Sequence, residues 1–295
     1  MHMEQRKAPG RNHSCATIVS QESPGRLERL RQALEQAGIE SVVQSAGSPA
    51  RVSVGYIRSI DPQLGGGSTF VQVSALGAKP AFMVNTPGSV RIAEWSPLAT
   101  HALRDRGVPQ PRRMWCLDHE DLARASEMLG TPITFEGVVT RQRRVASAPD
   151  ELERAFGEAV GPHARRGAMA EAPLPQQAAH LSVMIIDGAC IPLRSAQTRA
   201  VSPLAAMRAT LVAGHAVAAL GGSAMAVDVM IDGSDDAYVT RVDAAPHIAR
   251  LNEAAVAALV GAIATRLAAV WPPMRLRRRA VSARPAPFSQ VGPPC

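Results

Sequence analysis

Lysine is almost absent from this chain: of its 32 basic residues only Lys7 and Lys79 are lysines, and the rest are arginines. Aromatic residues make up just 3%, which argues against a surface that stacks single-stranded nucleic acid. The four cysteines (Cys15, Cys116, Cys190, Cys295) are far apart and form no CxxC pair. That excludes a cysteine metal cluster or a disulfide framework and points to a reducing, cytoplasmic setting. Cys15 and Cys190 fall in apolar strand-like runs, where a small buried thiol is the simplest reading. There is no long strongly apolar run. The longest uncharged stretch, 209–227, is mostly Ala and Gly, contains His215 and is broken by Gly221-Gly222, so no membrane span is expected. The opening MHMEQRKAPGRNHS lacks the apolar segment of a secretory signal. No Gly-x-Ser-x-Gly or Cys/His nucleophile pattern occurs.

What is present suffices for a globular protein. The 295 residues suggest about two domains or lobes, and 46% hydrophobic content suggests a core built from Ala, Val, Leu and Ile. The net charge of +7 and a pI near 10.0 raise a nucleic-acid reading. The arginines are scattered, however, apart from 141–144 and the tail run 275–279, so solvated charge is the simpler account.

Periodicity organises the chain. Cys15–Ser20 reads as a strand, Arg26–Ala37 as a helix with Gly38 at its end, and 41–44 as the next strand. Strands at 52–57 and 81–84 flank a glycine-rich loop and a helix near 69–76. This alternation predicts a doubly wound parallel sheet. Beyond it come a helix at 95–106, a strand at 113–116, a helix at 119–129, a strand ending at Phe135, and a helix starting near Asp150. A hairpin turning at Asp187-Gly188 follows, then a helix at 203–220, paired strands at 226–231 and 237–242, and a last helix at 252–270. The expected boundaries are a flexible 1–13, an α/β domain at 14–90, a small lobe at 91–170, a C-terminal lobe at 171–271 and a disordered Pro/Arg-rich tail at 272–295.

Several short motifs in fixed order carry a family likeness. They are 54–59 (VGYIRS), 76–80 (LGAKP), 84–90 (VNTPGSV), 98–111 with LRDRGVPQP, 129–132 (LGTP), 150–152 (DEL), the Asp187-Gly188 hairpin, and 220–228 (LGGSAMAVD). Together they resemble the ATP-grasp superfamily, nearest to its RimK-like and LysX-like carboxylate–amine ligases, over about residues 14 to 271. The resemblance implies an ATP-grasp α/β fold: an N-terminal doubly wound domain followed by two α+β lobes. It also implies ATP and Mg²⁺ as cofactors, an acyl-phosphate intermediate, and an amino-acid, peptide or carrier-bound substrate. A homo-oligomer is a further implication.

Under that resemblance Glu171 falls at the hinge glutamate beside the adenine, and Asp228 at the first metal carboxylate. Asp243 is placed to supply a second oxygen to the metal. Arg194 matches an arginine facing the phosphoryl group and acyl intermediate, with Arg199 nearby as a second anion clamp. The family's two ATP lysines are replaced by Ser96 and Glu136, and its glycine-rich phosphate loop is missing from 138–146. Arg141, Arg143 and Arg144 are the candidates to replace that loop, against a solvated basic loop as the alternative. Arg241 stands at a metal-ligand position, two residues from Asp243 and so on the same strand face. An Arg241 salt bridge therefore competes with a metal site. Two functions follow: an ATP-dependent ligase in which arginines act for lysines, or an inactive ATP-grasp subunit beside an active paralogue.

Overall fold

The computed structural model describes residues 15–19, 24–44, 55–57, 83–173, 178–193, 201–246 and 248–270. The expected helix near 69–76, Lys7, Lys79, Arg194, Arg199 and the tail lie outside the described residues.

Alternation of strand and helix at the start gives the parallel sheet it predicts. Strands β1 (Cys15–Val19), β2 (Glu40–Gln44), β3 (Gly55–Ile57) and β4 (Met83–Val84) run in the order β2-β1-β3-β4, all pairs parallel. Helix α1 (Pro24–Gln36) covers the sheet through Leu27, Leu30 and Leu34, spaced on one face and fully buried. Burying a leucine contributes about 1.5–3 kcal/mol, so these three fix the helix to the sheet.

After β4 the structure departs from the sequence expectation. Residues 87–94 form a helix that was not expected, α2 (Pro87–Glu94), while α3 (Ser96–Asp105) is the helix expected at 95–106. The TPGS stretch is a helix start: Thr86 accepts from the Ser89 amide, Ser89 caps back, and Pro87 opens the first turn.

A second sheet is antiparallel, in the order β5-β8-β6-β7. Its strands are β5 (Arg113–Cys116), β6 (Ile133–Gly137), β7 (Arg143–Ala146) and β8 (Ala168–Glu171). Helices α4 (His119–Leu129) and α5 (Leu152–Val160) cover one face through Leu122, Ala125, Leu152, Ala155 and Ala159. Residues 143–146, expected in a loop, are thus an edge strand.

The third sheet, also antiparallel, runs β10-β9-β11-β12. It comprises β9 (Ala179–Ile186), β10 (Ala189–Pro192), β11 (Ala224–Ile231) and β12 (Ala237–Asp243). Helix α6 (Pro203–Ala219) lies on one face through Ala205, Ala209, Ala213 and Ala216, small residues that let helix and sheet approach closely. The other face meets α7 (Glu253–Val270), which also packs against α1 and β1. The N-terminal sheet and the third sheet therefore share one hydrophobic core. No helix among the described residues is long and apolar enough to cross a membrane.

Two polar anchors join those sheets. Asn85, in a left-handed conformation (φ 62°) that Asn tolerates, is buried at the end of β4. Its side chain donates to the Ala224 carbonyl (2.7 Å) and accepts from the Ser223 and Ala224 amides (3.0 and 2.8 Å). On α7, the Arg266 guanidinium grips Asp187 in the hairpin turn at 2.7 and 2.9 Å and donates to the Met83 carbonyl at 2.9 Å.

Replacing Asn85 by Ala leaves two buried amides and a carbonyl without partners and should destabilise the protein by about 3 kcal/mol or more. Urea unfolding checks this; a loss below about 1 kcal/mol would show that the anchor is redundant. The Arg266 hydrogen bonds hold the Asp187 carboxyl below its usual range, against a smaller upward push from burial. That contribution is present above about pH 4 and lost as the pH falls through the lowered value. Asp187→Asn should accordingly flatten the acid limb of a stability–pH curve, and an unchanged limb would contradict the assignment.

Candidate functional site

Period-two alternation decides which side chains of the second sheet face the third. Ile133, Phe135 and Gly137 of β6 point into the α4–α5 core, so Thr134 and Glu136 point the other way. Glu136 lies opposite Arg143, Thr134 opposite Glu171, and Glu171 opposite Arg113. Four charged residues from four strands thus share one face. Gly167 lets β8 enter this arrangement: with φ +68°, it sits where a Cβ would collide with the Cys116 carbonyl.

Opposite this face, β9, β11 and β12 bring Ser182, Asp228 and Arg241 into register. Between the sheets lies a cleft of about 320 Å³ lined by Glu136, Arg141, Arg143, Glu171, Ser182, Asp228 and Arg241, with His180 and Thr240 at its margin. A smaller adjoining recess reaches Ser96 and Arg113.

Glu171 is only 6% exposed. Arg113 donates to its Oε2 from Nε at 3.0 Å and lies within 2.9 Å through Nη2, which also donates to the Thr240 carbonyl. One guanidinium thus pairs with Oε2 of the carboxylate and ties the second sheet to the third. Glu171 Oε1 is buried without a hydrogen bond, and Arg143 stands 3.9 Å from it. Arg141, at φ 57°, donates to the Glu94 carbonyl and to Ser96 Oγ, and lies 3.6 Å from Glu136.

The four arginines differ in what they have left to give. Arg113 and Arg141 spend their N–H groups on protein partners. Arg143 is 3.9 Å from both Glu136 and Glu171, and Arg241 is 3.7 Å from Asp243. These separations exceed hydrogen-bond length, so both keep donors for a bound anion.

The residues singled out from sequence are not all brought together. Glu171 and Asp228 line the cleft. Asp243 sits two residues beyond Arg241, with Oδ1 accepting from the Ala245 amide at 2.9 Å. Arg144 is on the opposite face of β7: it lies across from Phe135 and donates to Glu158 of α5 at 2.9 Å, so it does not enter the cleft. Arg194 and Arg199 are outside the described residues. Sequence reasoning missed Arg113 and Ser182. Arg113 opens β5 ahead of three apolar residues, a pattern that carries no signal of a site role. Burial pushes the Cys116 thiol up to about 12, which keeps it protonated and inert at neutral pH.

A nucleotide's phosphates suit this donor set, since Arg143 and Arg241 face the cleft with unspent N–H groups and guanidinium forks match phosphate. A magnesium ion does not. Asp228 Oδ1 already accepts from Ser182, Arg241 is the register partner of Asp228 on β12, and the Arg241 guanidinium lies 3.7 Å from Asp243. Among the described residues no group of three or more His, Cys, Asp or Glu could hold a metal ion. The expected Asp228–Asp243 metal site thus has Arg241 on the same sheet face as both carboxylates.

Replacing Arg113 by Met strands Glu171 as an uncompensated buried charge and should cost about 3–5 kcal/mol. Adding Glu171→Leu to that variant should recover most of the loss. Denaturant unfolding of the single and double variants tests this, and equal instability of the two would contradict it.

No family model matches the sequence, and no curated protein matches it. Solved structures do match. The D-alanine–D-alanine ligase of Bacillus anthracis superposes with a TM-score of 0.67 at 14% identity, covering 87% of this chain and 97% of the ligase. A RimK domain ATP-grasp protein of Sphaerobacter thermophilus gives 0.65 at 15% identity, with 86% and 99% covered. The ATP-grasp ligase PsnB, in complex with a minimal precursor, Mg and ADP, gives 0.62 at 15% identity, with 89% and 100% covered. Across nearly its whole length, this chain has the ATP-grasp fold.

Proposed function

We propose that the chain is an ATP-grasp protein of the carboxylate–amine ligase type, acting on an amino-acid, peptide or carrier-bound substrate. The observation that supports this is the cleft between the two antiparallel sheets, where Arg143 and Arg241 keep unspent donors, in a chain that spans 97–100% of ligases sharing its fold. ATP would supply the phosphoryl group that activates the carboxylate. The protein's part is to hold the phosphates on guanidinium groups and to place negative charge, once formed, against fixed positive charge. Asp228, held by Ser182, is the register partner of Arg241 on the cleft wall. A cytoplasmic, homo-oligomeric protein without nucleic-acid or membrane partners completes the proposal.

One observation favours a second reading. Glu136 puts a carboxylate on the cleft wall at 3.6 Å from Arg141 and 3.9 Å from Arg143, where a transferring phosphoryl group needs positive charge. On that reading the chain binds nucleotide without turning it over and serves beside an active paralogue.

A coupled assay for ADP release, run with a panel of amino-acid and peptide acceptors, separates the two. The ligase reading expects acceptor-dependent release that falls about 10²-fold or more in Asp228→Ala. No release with any acceptor, or an unchanged rate in Asp228→Ala, would contradict it.

A further inference from the structure

We infer that this cleft takes its nucleotide without a divalent cation, the Arg241 guanidinium standing where a metal ion would link carboxylates to phosphates. This rests on the nucleotide reading of the cleft given above. The first ground is position. Arg241 lies directly across from Asp228 and shares a strand face with Asp243, 3.7 Å from it. A covalently attached positive charge thus stands beside Asp243, on the sheet face that carries Asp228. A divalent ion bound to Asp243 would have to displace the guanidinium.

The second ground is spare capacity. Arg241 is 58% exposed, lines the cleft, and stands 3.7 Å from Asp243, which leaves N–H donors for a ligand. A planar guanidinium can pair with a carboxylate along one edge and a phosphate along another, which a compact ammonium cannot do with the same geometry. Arg143, 52% exposed, faces it from the other sheet. Its two carboxylate neighbours have arginines of their own: Arg113 holds Glu171 at 2.9 Å and Arg141 lies 3.6 Å from Glu136. Arg143 can therefore turn to a phosphate without leaving a buried charge unpartnered.

The third ground is independent of the arginines. Glu171 Oε1 is a buried acceptor without a hydrogen bond at the cleft wall. Such an atom calls for a donor from a bound molecule, and a nucleotide's hydroxyl or amino hydrogens are donors of that kind.

Calorimetric titration of the full-length protein with AMPPNP, once in excess Mg²⁺ and once in EDTA, tests the inference. Affinity should agree within about twofold in the two buffers. In EDTA, Arg241→Gln should bind about tenfold more weakly or worse, a loss of about 1.4 kcal/mol or more, with the melting point of the unliganded protein unchanged. Arg144→Gln, on the far face of β7, should bind as the parent does. Binding in Mg²⁺ alone would overturn this inference and leave the proposed function standing, as would wild-type affinity in Arg241→Gln. Absence of binding in both buffers would remove the nucleotide reading itself.

Discussion

The cleft depends on one buried guanidinium. Arg113 rises from β5, pairs with Oε2 of Glu171 on the neighbouring strand, and reaches across to the Thr240 carbonyl on β12. A buried carboxylate is tolerated only when paired and hydrogen-bonded, and here the group that pairs it also fixes how the two antiparallel sheets face each other. Every other charged residue of the cleft takes its place from that junction. Arg143 and Glu136 flank Glu171 on the same sheet face, and Arg241 follows Thr240 on β12. The junction has its counterpart at the other end of the molecule, where Asn85 and Arg266 attach the parallel sheet to the third sheet.

The near-absence of lysine then has a structural meaning. An ammonium presents three donors from a single nitrogen, whereas a guanidinium presents five in a planar fork and can hold two partners along different edges. Two of the cleft arginines use this to brace protein atoms, and two retain donors for a ligand. The same property lets Arg241 stay beside Asp243 and still offer donors to a ligand, and makes the cleft's charge balance adjustable: Arg143 can change partners while Arg113 and Arg141 stay. The cost of the design is Glu136, a carboxylate among the groups that must meet phosphate. Whether that carboxylate merely restrains the arginines or also prevents turnover is the difference between the two functional readings.

Much of the fold was legible in the sequence. β5 and α4 fall on the residues that apolar spacing picks out, Arg113–Cys116 and His119–Leu129, and the Asp187-Gly188 turn joins β9 to β10. The ordered motifs were informative in the same way: the Asn of the VNTPGSV stretch is the buried anchor between sheets. What stayed hidden has physical causes. β7 carries two exposed arginines and reads as a loop, because its pairing is set by β6 and not by any apolar face of its own. β8, Ala-Met-Ala-Glu, has no β-branched residue and is a strand because it is buried between β5 and β6. Within the site, period two correctly placed Arg241 beside Asp243. It also puts Arg143 and Arg144 on opposite faces, but only once β7 is known to be a strand. Arg113 was invisible as a site residue, since its role is made by a contact to a strand more than a hundred residues away.

The central claim is that the cleft binds a nucleotide, and thermal unfolding of the intact protein with and without ATP tests it most directly. A ligand present at about 100 times its dissociation constant and bound only by the folded state stabilises by about 2.7 kcal/mol, enough to move the midpoint by several degrees. The account predicts such a shift with millimolar ATP and its loss when Arg143 and Arg241 are both replaced by Gln. An unmoved midpoint in the parent protein would contradict it.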